Sequence, residues 1–372
     1  MSSSPTTKPN GGLTYSHIQN MAQKRFHNKS STPMKDKVTV ITGSAGGIGS
    51  ELSTVIYNLG GTVIALDRDQ QGLEKLQEKL EASNSNTGAF IPMIAQHEDL
   101  NSVSNVAEEI LKEFPKVDVL INNAGLTYRD TTLLSSHGND LSFTVNYLSH
   151  FLLTEKLAKA LSNAHGRIVH ITSTYHWQVD GSELIPVNGR GPMAYEGQKE
   201  YQSSKHVERA YGNSKLAQIW HCRTTNIENV NSVCACPTWA STGIGGEDAR
   251  DFLQKYAFPV ADCGPGISSS LNAILKSDDE LKGALNGGDC FVANSRILEY
   301  ILGRNTILAG DFVTNVLGWR DTITDIAGMV LLFGQKRTYS DFIIQKTSPQ
   351  SNDVGKMKKL REWSLKEVAQ WL

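Results

Sequence analysis

From Lys37 onward, short apolar runs alternate with longer stretches whose apolar residues recur every three or four positions. The short runs are 38–42, 62–67, 89–95, 117–122, 167–173 and 231–236, each of strand length. Between them lie helix-period sets such as Leu73, Leu76 and Leu80, or Val103, Val106, Ile110 and Leu111. A run buried on both faces reads as a central strand, and a one-sided stripe as a surface helix. Their alternation predicts right-handed βαβ units and an α/β fold with a doubly wound parallel sheet. After Thr242 the regularity weakens into Gly/Pro turns and apolar stretches at 297–308, 312–317 and 326–333. A last short strand is predicted at 342–345 and a charged terminal helix at 354–372. The chain therefore reads as a single domain: a tail at 1–36, a core at 37–242, and a C-terminal elaboration at 243–372.

Composition narrows the class. Of 372 residues, 39% are hydrophobic and 20% charged, which suits a globular chain with a substantial core. A formal net charge of −2 gives no electrostatic reason to expect a nucleic-acid partner. The five cysteines are odd in number and show no zinc-type spacing, so neither a disulfide framework nor a metal site is expected. No apolar run reaches membrane-spanning length, and the N-terminus has no secretory h-region. Residues 1–35 hold no Asp or Glu but many Ser, Thr and basic residues. They read as a disordered tail, with a mitochondrial transit segment or a basic membrane-facing arm as alternatives. The expected location is intracellular, cytoplasmic or peripheral to a membrane, with mitochondria as the lesser alternative.

The first strand runs into glycines: Thr42, Gly43, Ser44, Ala45, Gly46, Gly47, Ile48, Gly49, and then a helix. In that strand–turn–helix setting the motif predicts a Rossmann dinucleotide site. Gly43 serves the tight turn, Gly47 the approach of a pyrophosphate and Gly49 close helix packing, with the helix N-terminus facing the phosphates. Ser44 and Ile48 belong to the same cradle. Asp67 closes the second strand, where a carboxylate accepts from a ribose 2′-hydroxyl and repels a 2′-phosphate; Arg68 beside it would accommodate that phosphate. NAD(H) is favoured, with NADP(H) as the alternative.

These residues, together with Asn122, Asn123, Ala124 and Gly125, then Asn146, Ser173, and Tyr211 with Lys215, resemble the short-chain dehydrogenase/reductase family from about Lys37 to Thr242. The segments 143–154 and 211–218 resemble the retinol dehydrogenase-like branch. The resemblance implies catalytic roles for Asn146, Ser173, Tyr211 and Lys215. It also implies cofactor contacts from Asn123, Ala124, Gly125, Tyr211, Lys215, Pro237 and Thr242, a small lipophilic substrate and an oxidoreductase activity, often in a homo-oligomer.

The chemistry is coherent on its own terms. Reducing a ketone needs a proton donor at the developing alkoxide, and Tyr211 can supply it. Lys215 stands one helical turn on and is expected to lower the phenol pKa by its charge. Ser173 can bond the substrate oxygen, and Asn146 can hold a water that connects Lys215 to solvent. Tyr201 and Lys205 share the same spacing, but ten helical steps turn them away from a common face. Small Ser214 and the pair Leu216–Ala217 favour Tyr211.

Several positions depart from the family pattern. Gln96 and His97 stand where the third strand usually ends in Asp, and Pro237 is followed by Thr238 where a glycine is usual. A long segment separates Ser173 from Tyr211 and holds His176, Trp177, Tyr195 and the glycine-rich run 189–192. His176 is expected to be a surface loop residue. Segment 243–334 is expected to be a substrate lid, and 295–335 offers an alternative amphipathic face for a membrane or lipid surface. The departures also motivate a rival reading, a non-catalytic dinucleotide-binding protein of a regulatory or scaffold kind.

Overall fold

In the computed structural model the described residues are 13–83, 88–127, 133–187, 190–194, 204–237, 263–281, 284–287, 289–293 and 342–372. Eight strands among them form one sheet. They are β1 (Val38–Thr42), β2 (Thr62–Asp67), β3 (Ala89–Ile94), β4 (Val119–Asn122), β5 (Arg167–Ile171), β6 (Asn231–Cys236), β7 (Asp289–Ala293) and β8 (Phe342–Lys346). The spatial order is β3-β2-β1-β4-β5-β6-β7-β8, parallel throughout except for the last pair. The order reverses direction between β1 and β4, which opens a crevice at their carboxyl ends.

The helices are α1 (Tyr15–Arg25), α2 (Gly47–Asn58), α3 (Gln70–Ala82), α4 (Leu100–Glu113), α5 (Ser149–Ala164), α6 (Ser204–Thr224), α7 (Cys263–Leu275) and α8 (Val354–Glu367). They cover both faces because each strand divides its side chains between two cores. Val40, Ile64, Leu66, Leu120 and Ile168 face a core shared with α4, α5, α6 and α8. Their neighbours Ile41, Val63, Ala65, Ile121 and Val169 face a second core with α1, α2, α3 and α7. This period-two division is why the runs are continuously apolar. Each fully buried aliphatic side chain contributes about 1.5–3 kcal/mol relative to exposure.

Two features depart from the expectations. Residues 13–36 are not a disordered tail: α1 begins on a Thr14 cap and buries Ile18, Met21 and Ala22 against the second core. Its apolar residues occupy only one narrow stripe among polar ones, so composition hid it. Strand β7 was not foreseen. It is a five-residue run, DCFVA, that pairs β6 on one side and β8 on the other. The strand predicted at 342–345 is present as β8, and the terminal helix ends at Glu367 in place of residue 372.

The C-terminal segment lies across the first core. The Tyr147 hydroxyl and Ser364 hydroxyl are 2.8 Å apart, Arg361 pairs with Glu155 at 3.0 Å, and Trp371 Nε1 donates to Asn101 at 2.9 Å. The segments 243–262 and 294–341, with the apolar face expected at 295–335, lie outside the described residues. Among the described residues no helix is long and apolar enough to cross a membrane.

Candidate active site

The glycine-rich turn owes its form to contacts that no side chain could share. Gly43 has φ +68°, and a Cβ there would lie 2.9 Å from Ala124 Cα. A Cβ on Gly49 would stand 1.9 Å from the Gly43 carbonyl oxygen. Helix α2 starts at Gly46 with no side-chain cap and no acidic residue in its first turn, so its end carries an uncompensated positive dipole. Ser44 is buried, its hydroxyl donating to the Ile41 carbonyl at 2.7 Å, and Ile48 is buried beside it. Both Asp67 oxygens accept backbone N–H groups, Oδ2 from Ala45 at 2.8 Å and Oδ1 from Asp69 at 3.0 Å. Arg68 is 63% exposed and sits 3.8 Å from Glu98.

The exits of β1 and β4 are cross-linked. Thr42 Oγ1 accepts from the Asn123 and Ala124 N–H groups, both at 2.9 Å. Asn123 Nδ2 donates back to the Thr42 and Gly43 carbonyls at 2.8 and 3.1 Å. Asn146 joins this frame from a π-helical stretch, Thr144–Leu148, which leads into α5. Such stretches turn side chains out of the regular α register and recur at functional sites. Asn146 Oδ1 accepts from Leu126 N–H at 2.8 Å, while Nδ2 donates to the Leu126 carbonyl and to Ser214 Oγ, each at 2.9 Å. Its amide protons are thus fully committed, and only its oxygens have lone pairs left for a water. A buried Asp140 caps the helical run with Oδ1 2.7 Å from Phe143 N, and burial raises its pKa to about 7.

Tyr211 and Lys215 both stand on α6, with the Lys215 ammonium 5.5 Å from the Tyr211 ring centre. Ser173, which follows β5, stands near enough to the Tyr211 phenol to favour its charged form. Lys215 Nζ donates to the Ile171 carbonyl at 2.9 Å. A Cβ at Gly125 would be 3.4 Å from both Lys215 Nζ and Asn146 Oδ1, so these two expected residues face one small volume. Burial brings the Lys215 ammonium down to about 8. The expected lowering of the Tyr211 pKa is not what the surroundings produce. Burial raises the phenol above its ordinary value, and Ser173 only partly opposes this. Lys215 directs its protons to a carbonyl, not at the phenol oxygen, which explains the difference.

Other expected positions fall elsewhere. Gln96 is exposed, its backbone N–H donating to Ser102 Oγ at 3.0 Å. Pro237 closes the described part of the β6 exit; Thr238, Thr242, Tyr195 and Tyr201 lie outside the described residues. His176 is not on the surface: it is 3% exposed and packed beside Ser173.

Sequence reasoning passed over the other buried histidines. His150 Nδ1 is 3.0 Å from the Asn146 carbonyl, and its Nε2 is 2.9 Å from Thr42 Oγ1. His97 Nδ1 pairs with Ser149 Oγ at 3.0 Å, and its ring meets His150 edge-on. His170 and His221 pack edge-on at 4.7 Å. Burial holds His97 and His176 near pKa 4 and His170 near 3. The one sequence signal was the i, i+4 spacing of Asn146 and His150. Among the described residues no group of three or more His, Cys, Asp or Glu is placed to hold a metal ion.

A glycine turn opening into the switch-point crevice of a doubly wound sheet, beside a Ser–Tyr–Lys cluster, defines the dinucleotide-linked oxidoreductase class. Comparison with known proteins agrees. Residues 37–183 match the short chain dehydrogenase family. "Short-chain dehydrogenase/reductase prx1" of Penicillium roqueforti is 29% identical over 278 residues, covering 69% of this chain and 75% of that one. "Retinol dehydrogenase 12" of Mus musculus is 34% identical over 194 residues, covering 50% and 55% of the two chains. A crystal structure of a Mycobacterium paratuberculosis protein superposes with a TM-score of 0.57 at 19% identity, over 90% of this chain and 94% of that one. Over residues 37–183 this chain matches the short chain dehydrogenase family, and it is similar to relatives that include a retinol dehydrogenase.

Proposed function

We propose that the protein interconverts an alcohol and a carbonyl on a small lipophilic molecule, such as a sterol, retinoid, polyprenoid or long-chain lipid, using a nicotinamide dinucleotide. The observation that carries this reading is the placement of Tyr211 and Lys215 one turn apart on a buried helix, with Asn146 facing Lys215 across Gly125. The glycine cradle fits such a cofactor, because α2 begins beyond an uncapped Gly46 where a Cβ would meet nothing within 4 Å, leaving its N-terminus open. Gly43, Ser44, Gly47, Ile48 and Gly49 would hold its pyrophosphate, and Asn123, Ala124, Gly125, Pro237 and Thr242 its nicotinamide end. When bound, the nicotinamide supplies or accepts the hydride.

The chain's own groups handle the proton. Ser173 donates a hydrogen bond to the substrate oxygen and holds it at the Tyr211 hydroxyl. Tyr211 gives its proton to the alkoxide in reduction and takes it back in oxidation. A phenol raised by burial rests in the protonated form at neutral pH. Lys215, less basic than usual, stays near enough to neutral pH to exchange protons with water held by the Asn146 oxygens.

Asp67 supports NAD(H), since its carboxylate is fixed by two backbone amides at the ribose end and Arg68 is turned to Glu98. Asp67→Ser should shift preference towards NADPH by about tenfold, the effect of removing one near-surface charge from beside a 2′-phosphate. The lipophilic substrate class rests on likeness to a relative named for retinol.

The deciding experiment is a panel of all-trans-retinal, decanal and a 3-ketosteroid with NADH and NADPH, read by cofactor absorbance. Turnover abolished by Tyr211→Phe and retained by Tyr201→Phe is expected. Activity that survives Tyr211→Phe but is lost in Tyr201→Phe would overturn the assignment. Cofactor binding without turnover of any compound would favour a non-catalytic dinucleotide-binding role.

A further inference from the structure

Where the Ser173 hydroxyl sits is set by the turn that follows β5. Ser173 has extended backbone (φ −146°, ψ 153°) and leads a 3-10 turn, Thr174–Gln178. His176 folds back within that turn until its Nδ1 is 2.6 Å from the Ser173 carbonyl oxygen. A carbonyl can only accept, so Nδ1 carries the proton. On the other side of the ring, Nε2 lies 3.2 Å from the backbone N–H of Ser348, which can only donate. Nε2 therefore presents its lone pair. The two partners define one neutral tautomer, and a doubly protonated ring would set N–H against N–H.

Ser348 belongs to a segment that also grips α6. Arg223 Nη2 donates to Thr347 Oγ1 at 2.9 Å, and Trp220 Nε1 donates to the Gln350 carbonyl at 3.2 Å. The segment is held at one end by β8 and at the other by α8. One stretch of chain thus touches the helix that carries Tyr211 and Lys215 and, through His176, the turn that carries Ser173. The residues joined by the His176–Ser348 bond are 172 positions apart. Arg223 is the charged group that faces His176, and its electrostatic effect, like burial, disfavours a second proton on the ring.

We infer that His176 is a positioning residue, and that the C-terminal segment 347–352 sets the place of Ser173 through it. This rests on the reading of Ser173 as the group that holds the substrate oxygen. The active-site framework thereby reaches a part of the chain 172 positions beyond His176.

Ser348→Pro tests it directly. Ser348 has φ −56°, which proline matches, so the change removes the N–H and sets the proline Cδ against His176 Nε2 in its place. The Ser348 hydroxyl has no partner among the described residues, so no second bond is lost. Full-length wild type, Ser348→Pro, His176→Leu and His176→Gln are compared by 15N-histidine NMR titration and by kinetics with all-trans-retinal and decanal. The wild type should show His176 as the neutral Nδ1–H tautomer from pH 8 to 5. Ser348→Pro should make the ring titrate at higher pH and lower kcat about tenfold, with the KM for NADH unchanged. His176→Gln keeps an acceptor for the Ser348 N–H and should recover part of the kcat lost in His176→Leu. An Nε2–H tautomer in the wild type overturns the inference, as does an unchanged kcat in Ser348→Pro. A wild type without turnover sinks the function assigned to Ser173. The titration of Ser348→Pro then still decides whether the segment governs His176, and an unshifted ring would overturn that as well.

Discussion

Lowering the pH from 8 to 5 should destabilise this protein, and the buried histidines are the reason. His97, His170 and His176 are 5%, 0% and 3% exposed. Burial depresses their pKa values from 6.5 to about 4, about 3 and about 4 respectively. The unfolded chain takes up protons below pH 6.5 while the folded chain does not. Their contribution is therefore complete above that pH and is lost as pH falls towards the folded values. By proton linkage, each ring forfeits about 2 kcal/mol by pH 5. Three together forfeit about 6 kcal/mol, within the roughly 5–15 kcal/mol that stabilises a typical protein. His150 and His221 are depressed further still and add to the loss. Urea unfolding followed by tryptophan fluorescence at pH 8, 7, 6 and 5 measures the slope. His97→Asn places an amide where Nδ1 stood, able to keep the Ser149 contact but not to titrate. It should recover about 2 kcal/mol of the loss between pH 8 and 5. Equal pH slopes in wild type and variant, or a stability flat across this range, would refute the reasoning.

Asp140 should act with the opposite sign to the histidines. Its folded pKa, raised to about 7, means that rising pH between 4 and 7 strips a proton the folded state prefers to keep. Asp140→Asn keeps the acceptor for Phe143 N–H and should gain stability above pH 7 relative to wild type, up to about 4 kcal/mol, in the same urea assay. Gly49→Ala drives a Cβ into the Gly43 carbonyl. It should cost about 1–3 kcal/mol of stability and weaken NADH binding, measured by fluorescence titration, at least tenfold. Breaking the Arg167–Asp278 pair with Asp278→Asn should lower the melting temperature, because Arg167 is buried and its other bonds go to the carbonyls of Ala273, Ile274 and Lys276.

Local chemistry by itself determined much of this protein. Five of the six predicted strands, β1, β2, β4, β5 and β6, were readable because a strand buried on both faces is mostly apolar along its length. The glycine turn was readable for a similar reason: Gly43 and Gly49 are excluded from being anything else by contacts within one strand–turn–helix unit and its neighbour. The i, i+4 relation of Tyr211 and Lys215 follows from helix geometry alone. Tertiary structure decided the rest. Helix α1 buries three residues against a core built by other segments, so its own composition resembles a loose tail. Strand β7 is short and becomes a strand through pairing with β6 and β8. The state of Tyr211 reflects burial that outweighs a charge placed correctly in sequence but aimed at the Ile171 carbonyl. His150 and His176 meet Thr42 and Ser348 across 108 and 172 residues, and no local pattern encodes partners at that distance. A hydrogen bond's worth depends on which groups folding brings together and on the water it excludes there. Both are properties of the assembled chain.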